Sequence, residues 1–185
     1  MNDDEPRLVD TGRGLTVSYR HRFLYPTDDP LGSACRRARA ARLAPRTLVF
    51  VPSLALGHGL AELAAALPAD CHILCVEADQ RLMALAGAVP LPQADTLTVV
   101  RTDSPQRVAA LLEELGTWRF RRVAVVSLSA GALLYPRLYR EMRAALEEQV
   151  RLHWQNRLTI MRMSRLWLRN LFTNLALLPG SGFLQ

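Results

Sequence analysis

The chain has no lysine, so all 23 of its basic side chains are arginine and its net charge of +6 rests on arginine alone. Exclusion of a whole residue type reads as coding bias, so the charge by itself gives no ground for a nucleic-acid partner. Cysteine is scarce: Cys35, Cys71 and Cys75 make an odd count that suits reduced core thiols better than a disulfide framework. Histidines 21, 58, 72 and 153 share no ligand spacing with one another or with the cysteines, so neither a metal site nor a resident cofactor is expected. Aromatics are few, with three Trp, four Tyr and five Phe, which leaves Leu, Val and Ala to fill the core. The opening residues MNDDEPRL lack the apolar segment of a signal peptide. No stretch reaches the roughly 18 uninterrupted apolar residues of a membrane span. These absences predict a soluble, cytoplasmic protein.

At 185 residues the chain suits one sizeable domain. Residues 1–46 read as a peripheral segment, with a short strand near Leu15–Tyr19 and a basic helix in CRRARAARLAPR that ends before Pro45. From Thr47 the pattern changes. TLVFVPS, CHILCVEAD, TLTVVRT and RRVAVVSLS are short apolar runs, and the amphipathic segments LAELAAALP, QRLMALAGA and PQRVAALLEELGTW lie between them. Strands alternating with helices need crossover connections, so residues 47–135 predict a Rossmann-like α/β domain with a parallel sheet. Residues 136–185 read as a helical extension, long enough that two or three separate helices are expected.

Two turns invite chemical readings. In nucleotide-binding sheets the first strand leads into a glycine-rich turn, and an acid ending the second strand hydrogen-bonds the ribose. Gly57, Gly59 and Glu77 hold those places here, but Ser53 and Ala55 replace the two earlier glycines, which makes them weak candidates for nucleotide binding. The competing role for Glu77 is to cap the next helix or pair with an arginine. A small S-adenosylmethionine-dependent methyltransferase-like enzyme would use the same three residues. The second turn, Ser127-Leu128-Ser129-Ala130-Gly131, follows a strand as a nucleophile turn does, yet the only later histidine is His153 and no acid loop precedes it. An ordinary strand-to-helix turn capped by Ser127 or Ser129 fits better.

The segment His153–Asn174 carries the most specific pattern. At 100° per residue, Asn156, Thr159, Met163, Trp167, Asn170 and Asn174 share one face of a helix otherwise rich in Leu, Met and Phe. Carboxamides on such a face are costly to bury without hydrogen-bond partners, so the stripe expects a specific neighbour. Eleven residues follow Asn174 and include Pro-Gly-Ser-Gly, so that neighbour is expected from a missing domain or a second copy of the chain. The arginines of this helical region also permit an arginine-rich binding module, toward phosphate-rich partners or anionic membrane. No aromatic platform for bases accompanies them, and no nucleic-acid partner is expected.

The order of a strand, a turn with Gly57, a strand ending VEAD, further α/β units, then N-x2-T, W-x2-N-x3-N and L-x-L-L resembles the amino-terminal half of motility-associated factor (Maf) proteins over about residues 47–178. These are flagellin glycosyltransferases, grouped with 6-hydroxymethylpterin pyrophosphokinase-like proteins. The resemblance implies an accessory domain beside a central catalytic domain whose G-x-G-P-S-type turn this chain does not contain. It further implies transfer of a nonulosonic acid sugar, such as pseudaminic or legionaminic acid, from its CMP-activated form to flagellin Ser or Thr. Asn156, Thr159, Trp167, Asn170 and Asn174 would then form the domain interface, and no catalytic residue is assigned within the chain.

Overall fold

The computed structural model describes residues 5–177. The Pro-Gly-Ser-Gly turn at 179–182 lies outside them. Two compact units divide the chain, Met1–Val150 and Arg151–Gln185.

The first unit holds two sheets. A small antiparallel sheet is built from β1 (Arg7–Asp10), β2 (Leu15–Tyr19) and β3 (Arg22–Phe23). The hairpin between β2 and β3 turns on Arg20 and His21, both at positive φ (48° and 60°), as a tight two-residue turn requires. Helix α1 (Pro30–Ala40) follows, capped by Asp29, whose carboxylate accepts from the Gly32 N–H, with Pro30 at the first helical position.

The α/β expectation holds. β4 (Thr47–Pro52), α2 (Leu60–Ala65), β5 (His72–Glu77), α3 (Gln80–Leu85), β6 (Leu97–Arg101), α4 (Pro105–Glu114) and β7 (Arg122–Val125) alternate as the apolar runs foretold. The sheet is parallel in the order β6-β5-β4-β7. Every residue of β4 and β5 is buried, which is why both read as unbroken apolar runs. The strand order reverses between β4 and β7, and ligands of such sheets bind at the carboxyl ends of the strands beside that point.

Two expectations need correction. Residues 1–46 are not peripheral: Val17, Tyr19, Leu24, Tyr25 and Ala34 are buried with Ala55, Leu56 and Leu82 of the α/β domain in one cluster. The helical extension is also one unbroken helix, α5 (Pro136–Leu177), because neither proline nor glycine occurs between Arg137 and Leu177 to end it. Its first turns bury Tyr139, Met142, Leu146 and Val150, the 3–4 spacing of a core-facing stripe, and Val150 closes the first unit. Among the described residues no helix is long and apolar enough to cross a membrane.

Gly59 allows α1 to pack on the β4–α2 turn. Its φ is +82°, and an added Cβ would lie 2.8 Å from the Ala34 carbonyl oxygen. Left-handed strain and a backbone clash together should make Gly59→Ala lower the unfolding free energy by about 2–4 kcal/mol in urea denaturation. Gly87→Ala, where a Cβ meets nothing within 4 Å, should stay near wild type.

Candidate functional site

At the carboxyl end of β4 the chain takes an unusual path. Ser53 (φ 65°) and Ala55 (φ 46°) both sit in the left-handed region, at about 1–2 kcal/mol each for residues with a Cβ. The path turns the successive N–H groups of Leu54 and Ala55 inward, where both donate to Glu77 Oε2 at 2.9 and 3.2 Å. The Ser53 hydroxyl donates to the same oxygen at 2.9 Å. Converging backbone N–H groups of this kind form an anion-binding concavity. In this protein its anion is the chain's own carboxylate. Glu77 Oε1 accepts in turn from the Asp79 N–H at 2.9 Å and the Tyr139 hydroxyl at 3.3 Å, and the residue is 1% exposed.

All four tyrosines of the chain meet around this turn. Tyr139 also accepts from the Ala78 N–H at 3.1 Å. Tyr19 and Tyr135 each donate to Asp79 Oδ2 at 2.9 Å, while Asp79 Oδ1 accepts from the Arg81 N–H at the start of α3. The Tyr25 hydroxyl sits inside the turn, donating to the Leu54 carbonyl at 3.4 Å and accepting from the Leu56 N–H at 3.3 Å. Arg20 lies over the Tyr19 and Tyr135 rings, 5.1 Å from each centroid, and donates to the Tyr135 hydroxyl.

Burial, then the bond to Asp79, pushes the Tyr19 phenol up to about 12. Burial likewise raises Tyr25, Tyr135 and Tyr139. For Asp79 burial acts upward, but the Tyr19 hydroxyl, the Arg81 N–H, the Tyr135 hydroxyl and the Leu82 N–H outweigh it and hold the carboxyl below its ordinary value.

This arrangement decides what the expected site residues do. Five donors use the acceptor capacity of Glu77, roughly four lone-pair sites in an ionised carboxylate, and none is left for a ribose hydroxyl. Gly57 and Gly59 do lie in the turn, but under cover: a Cβ on Gly57 would meet the Leu91 side chain at 2.5 Å, and one on Gly59 the Ala34 backbone. Packing is tight at Gly131, where a Cβ would lie 2.0 Å from Ser53 Oγ, and the Ala130 N–H donates to the Leu24 carbonyl; beside it Phe50, Pro52, Val125, Leu133 and Tyr139 line a small, mostly apolar cavity of about 220 Å³ at the β4/β7 end. Ser129, 3% exposed, accepts from the Gly131 N–H two residues on, a local turn bond, whereas the short helical turn Gly131–Leu133 begins after Ala130 with no side-chain cap; Ser127 is exposed.

Cys35, Cys71 and Cys75 are free and buried. Burial and a bond to Glu62 raise the Cys35 thiol to about 11, and burial raises Cys75 further, so neither is an activated nucleophile. Among the described residues no group of three or more His, Cys, Asp or Glu could hold a metal ion.

The tyrosines were missed in the sequence because YPRLYREMR reads simply as a helix start. The i, i+4 spacing of Tyr135 and Tyr139 was the available signal, since it places both on one side of a helix.

In the second unit, the helix from Arg151 to Leu177 presents its expected interface residues to solvent. Asn156, Thr159, Asn170 and Asn174 are exposed, and Trp167 is 74% exposed. The Thr159 hydroxyl bonds back to the Gln155 carbonyl, whereas the three carboxamides have no partner among the described residues. Ile160, Met163, Ser164, Trp167, Leu168 and Leu171 line an apolar strip beside them.

No family model matches the chain. It is similar to an uncharacterized protein of Treponema pallidum (strain Nichols), 29% identical over 172 residues that cover 91% of this chain and 30% of that protein. The chain therefore spans about a third of the length of the relative it matches.

Two outcomes test the capping arrangement. Glu77→Ala strands buried donors at about 1–3 kcal/mol each, so it should cost at least about 3 kcal/mol in urea denaturation; near-wild-type stability would refute the capping role. Second, every phenol is more acidic in the unfolded chain, near 10, than in the folded one. Their contribution to stability is thus complete below pH about 10 and lost as pH rises through the folded values, about 12 for Tyr19. In near-ultraviolet titration, phenolate should appear only together with alkaline unfolding; a tyrosine ionising near 10 in folded protein would contradict the network.

Proposed function

We propose that this chain is an accessory, non-catalytic α/β domain of a Maf-type flagellin glycosyltransferase, working in the cytoplasm. The larger protein would transfer a nonulosonic acid from its CMP-activated donor to flagellin Ser or Thr. The observation that carries the reading is the edge formed by Asn156, Asn170 and Asn174, three carboxamides without partners beside the exposed indole of Trp167. Such groups gain by docking against a surface that completes their hydrogen bonds. The much greater length of the aligned Treponema protein supports a setting within a larger assembly.

The closed turn supports a role without nucleotide chemistry of its own. A methyltransferase-like activity would require Glu77 to accept from a ribose, and its oxygens are taken by the Ser53–Ala55 turn, Asp79 and Tyr139.

The purified chain with CMP-activated nonulosonic acid and flagellin should transfer no sugar, because among the described residues Ser127, exposed after β7, has no histidine or carboxylate bonded to it that would activate it. Calorimetric titration with CMP, S-adenosylmethionine and NAD should detect no tight site. Low-micromolar binding of any of the three, or sugar incorporation, would overturn the accessory reading.

The interface has its own test. Asn170→Leu with Asn174→Leu should change the stability of the isolated chain by less than about 0.5 kcal/mol, as expected of exposed positions, while abolishing docking of a Maf catalytic domain supplied in trans. Strong unfolding of the isolated chain would make the amides internal structural residues instead.

A further inference from the structure

We infer that the helical segment Arg151–Leu177 also lies on an anionic lipid surface, using a sector of the helix separate from its amide edge. Charge is the first ground. From Gln149 to the end of the sequence there are five arginines and no acidic residue. In the exposed part of the helix, Arg162, Arg165 and Arg169 have no side-chain partner among the described residues. At 100° per residue these three fall within about 60° of one another, so they form one cationic row.

Directly beside that row is an apolar sector. Met161 (52% exposed), Leu168 (54%), Leu171 (53%), Phe172 (67%) and Leu175 (48%) follow in turn around the helix from Phe172 to Leu171, across about 100°. Adding Ile160 and Trp167 widens the sector to about 140°, broader than the narrow seam of a two-stranded coiled coil. A wide apolar sector bordered by arginines, with a bulky aromatic in it, is the pattern of a helix lying in the plane of a bilayer interface. Because no described helix is apolar enough to cross a membrane, the geometry is that of a helix resting on the surface. The hydroxyl of Ser164, which falls within this sector, is bonded to the Ile160 carbonyl, which limits what its burial would cost.

The amide edge and the lipid-facing sector are distinct. Asn156, Asn170 and Asn174 lie about 60–100° beyond Leu171, on the side away from the arginine row, and Trp167, about 20° from Asn156 and Asn174, borders both sectors. The inference therefore stands or falls apart from the proposed docking of a catalytic domain.

The test is flotation of the purified chain with vesicles of phosphatidylcholine alone and of phosphatidylcholine containing about a third phosphatidylserine. The chain should float with the anionic vesicles, and binding should weaken as salt rises. Because each guanidinium near such a surface adds to the attraction, Arg162→Gln, Arg165→Gln and Arg169→Gln together should reduce binding at least about tenfold. Leu168→Gln with Phe172→Gln should reduce it comparably, whereas Asn170→Leu with Asn174→Leu should not. Circular dichroism of each variant checks that the helix is retained. Equal binding to neutral vesicles, no binding to anionic ones, or indifference to both sets of substitutions would overturn the inference. So would sedimentation showing that the apolar sector is covered by a second copy of the chain when vesicles are present.

Discussion

A buried carboxylate needs donors, and Glu77 gathers them from several parts of the chain. Its oxygens take the Ser53 hydroxyl and the Leu54 and Ala55 N–H groups after β4, the Asp79 N–H after β5, and the Tyr139 hydroxyl from α5. Left without them, a charge at 1% exposure would cost several kcal/mol, so the five groups and the carboxylate must assemble together. The positive φ of Ser53 and Ala55 follows from the same demand: only with the chain turned that way do the two N–H groups reach Oε2. Asp79, two residues on, repeats the arrangement with Tyr19 from the small sheet and Tyr135 before α5. The antiparallel sheet, the parallel sheet and the first turns of the long helix are thus joined through two acids of one VEAD sequence.

This explains why a turn placed like a nucleotide site is filled. Converging N–H groups at a strand end accept a phosphate or a carboxylate equally well, because both present oxygens of negative charge. The protein supplies the carboxylate from its neighbouring strand. Gly57, Gly59 and Gly131 then work by allowing close packing: Leu91, Ala34 and Ser53 approach them so closely that a Cβ at any of the three would clash.

Much of the fold was legible because it rests on periodicity and punctuation. Unbroken apolar runs marked β4 and β5, and the extended Leu15–Tyr19 run marked β2, since both follow from which faces are buried. The single long helix follows from a negative feature that carries little weight in a pattern reading, the absence of proline and glycine between Arg137 and Leu177. The site was half legible. Glu77 and the glycines were found by position, but the partners of Glu77 come from residues 22 to 62 positions away in sequence, apart from Asp79, and spacing rules do not reach that far. The role of residues 1–46 was hidden for the same reason, as Tyr19 and Tyr25 look like ordinary strand and loop tyrosines until the fold brings them to Asp79 and Leu54.

The two units solve the problem of polar groups beside apolar ones in opposite ways. The carboxylates of Glu77 and Asp79 and the four tyrosine hydroxyls all have internal partners, so the first unit can bury acids, hydroxyls and N–H groups together. Along Arg151–Leu177 the hydroxyls are satisfied by their own helix and Arg151 donates to Gln155, but the carboxamides of Asn156, Asn170 and Asn174 and the guanidinium groups of Arg162, Arg165 and Arg169 have no side-chain partner among the described residues and stand beside Leu, Met and Phe. Helix propensity alone holds a segment of this length only marginally in water, and most helices gain their stability from packing an apolar face. Covering that face would therefore stabilise the helix at the same time as it engages a partner, so docking and helix order are thermodynamically linked.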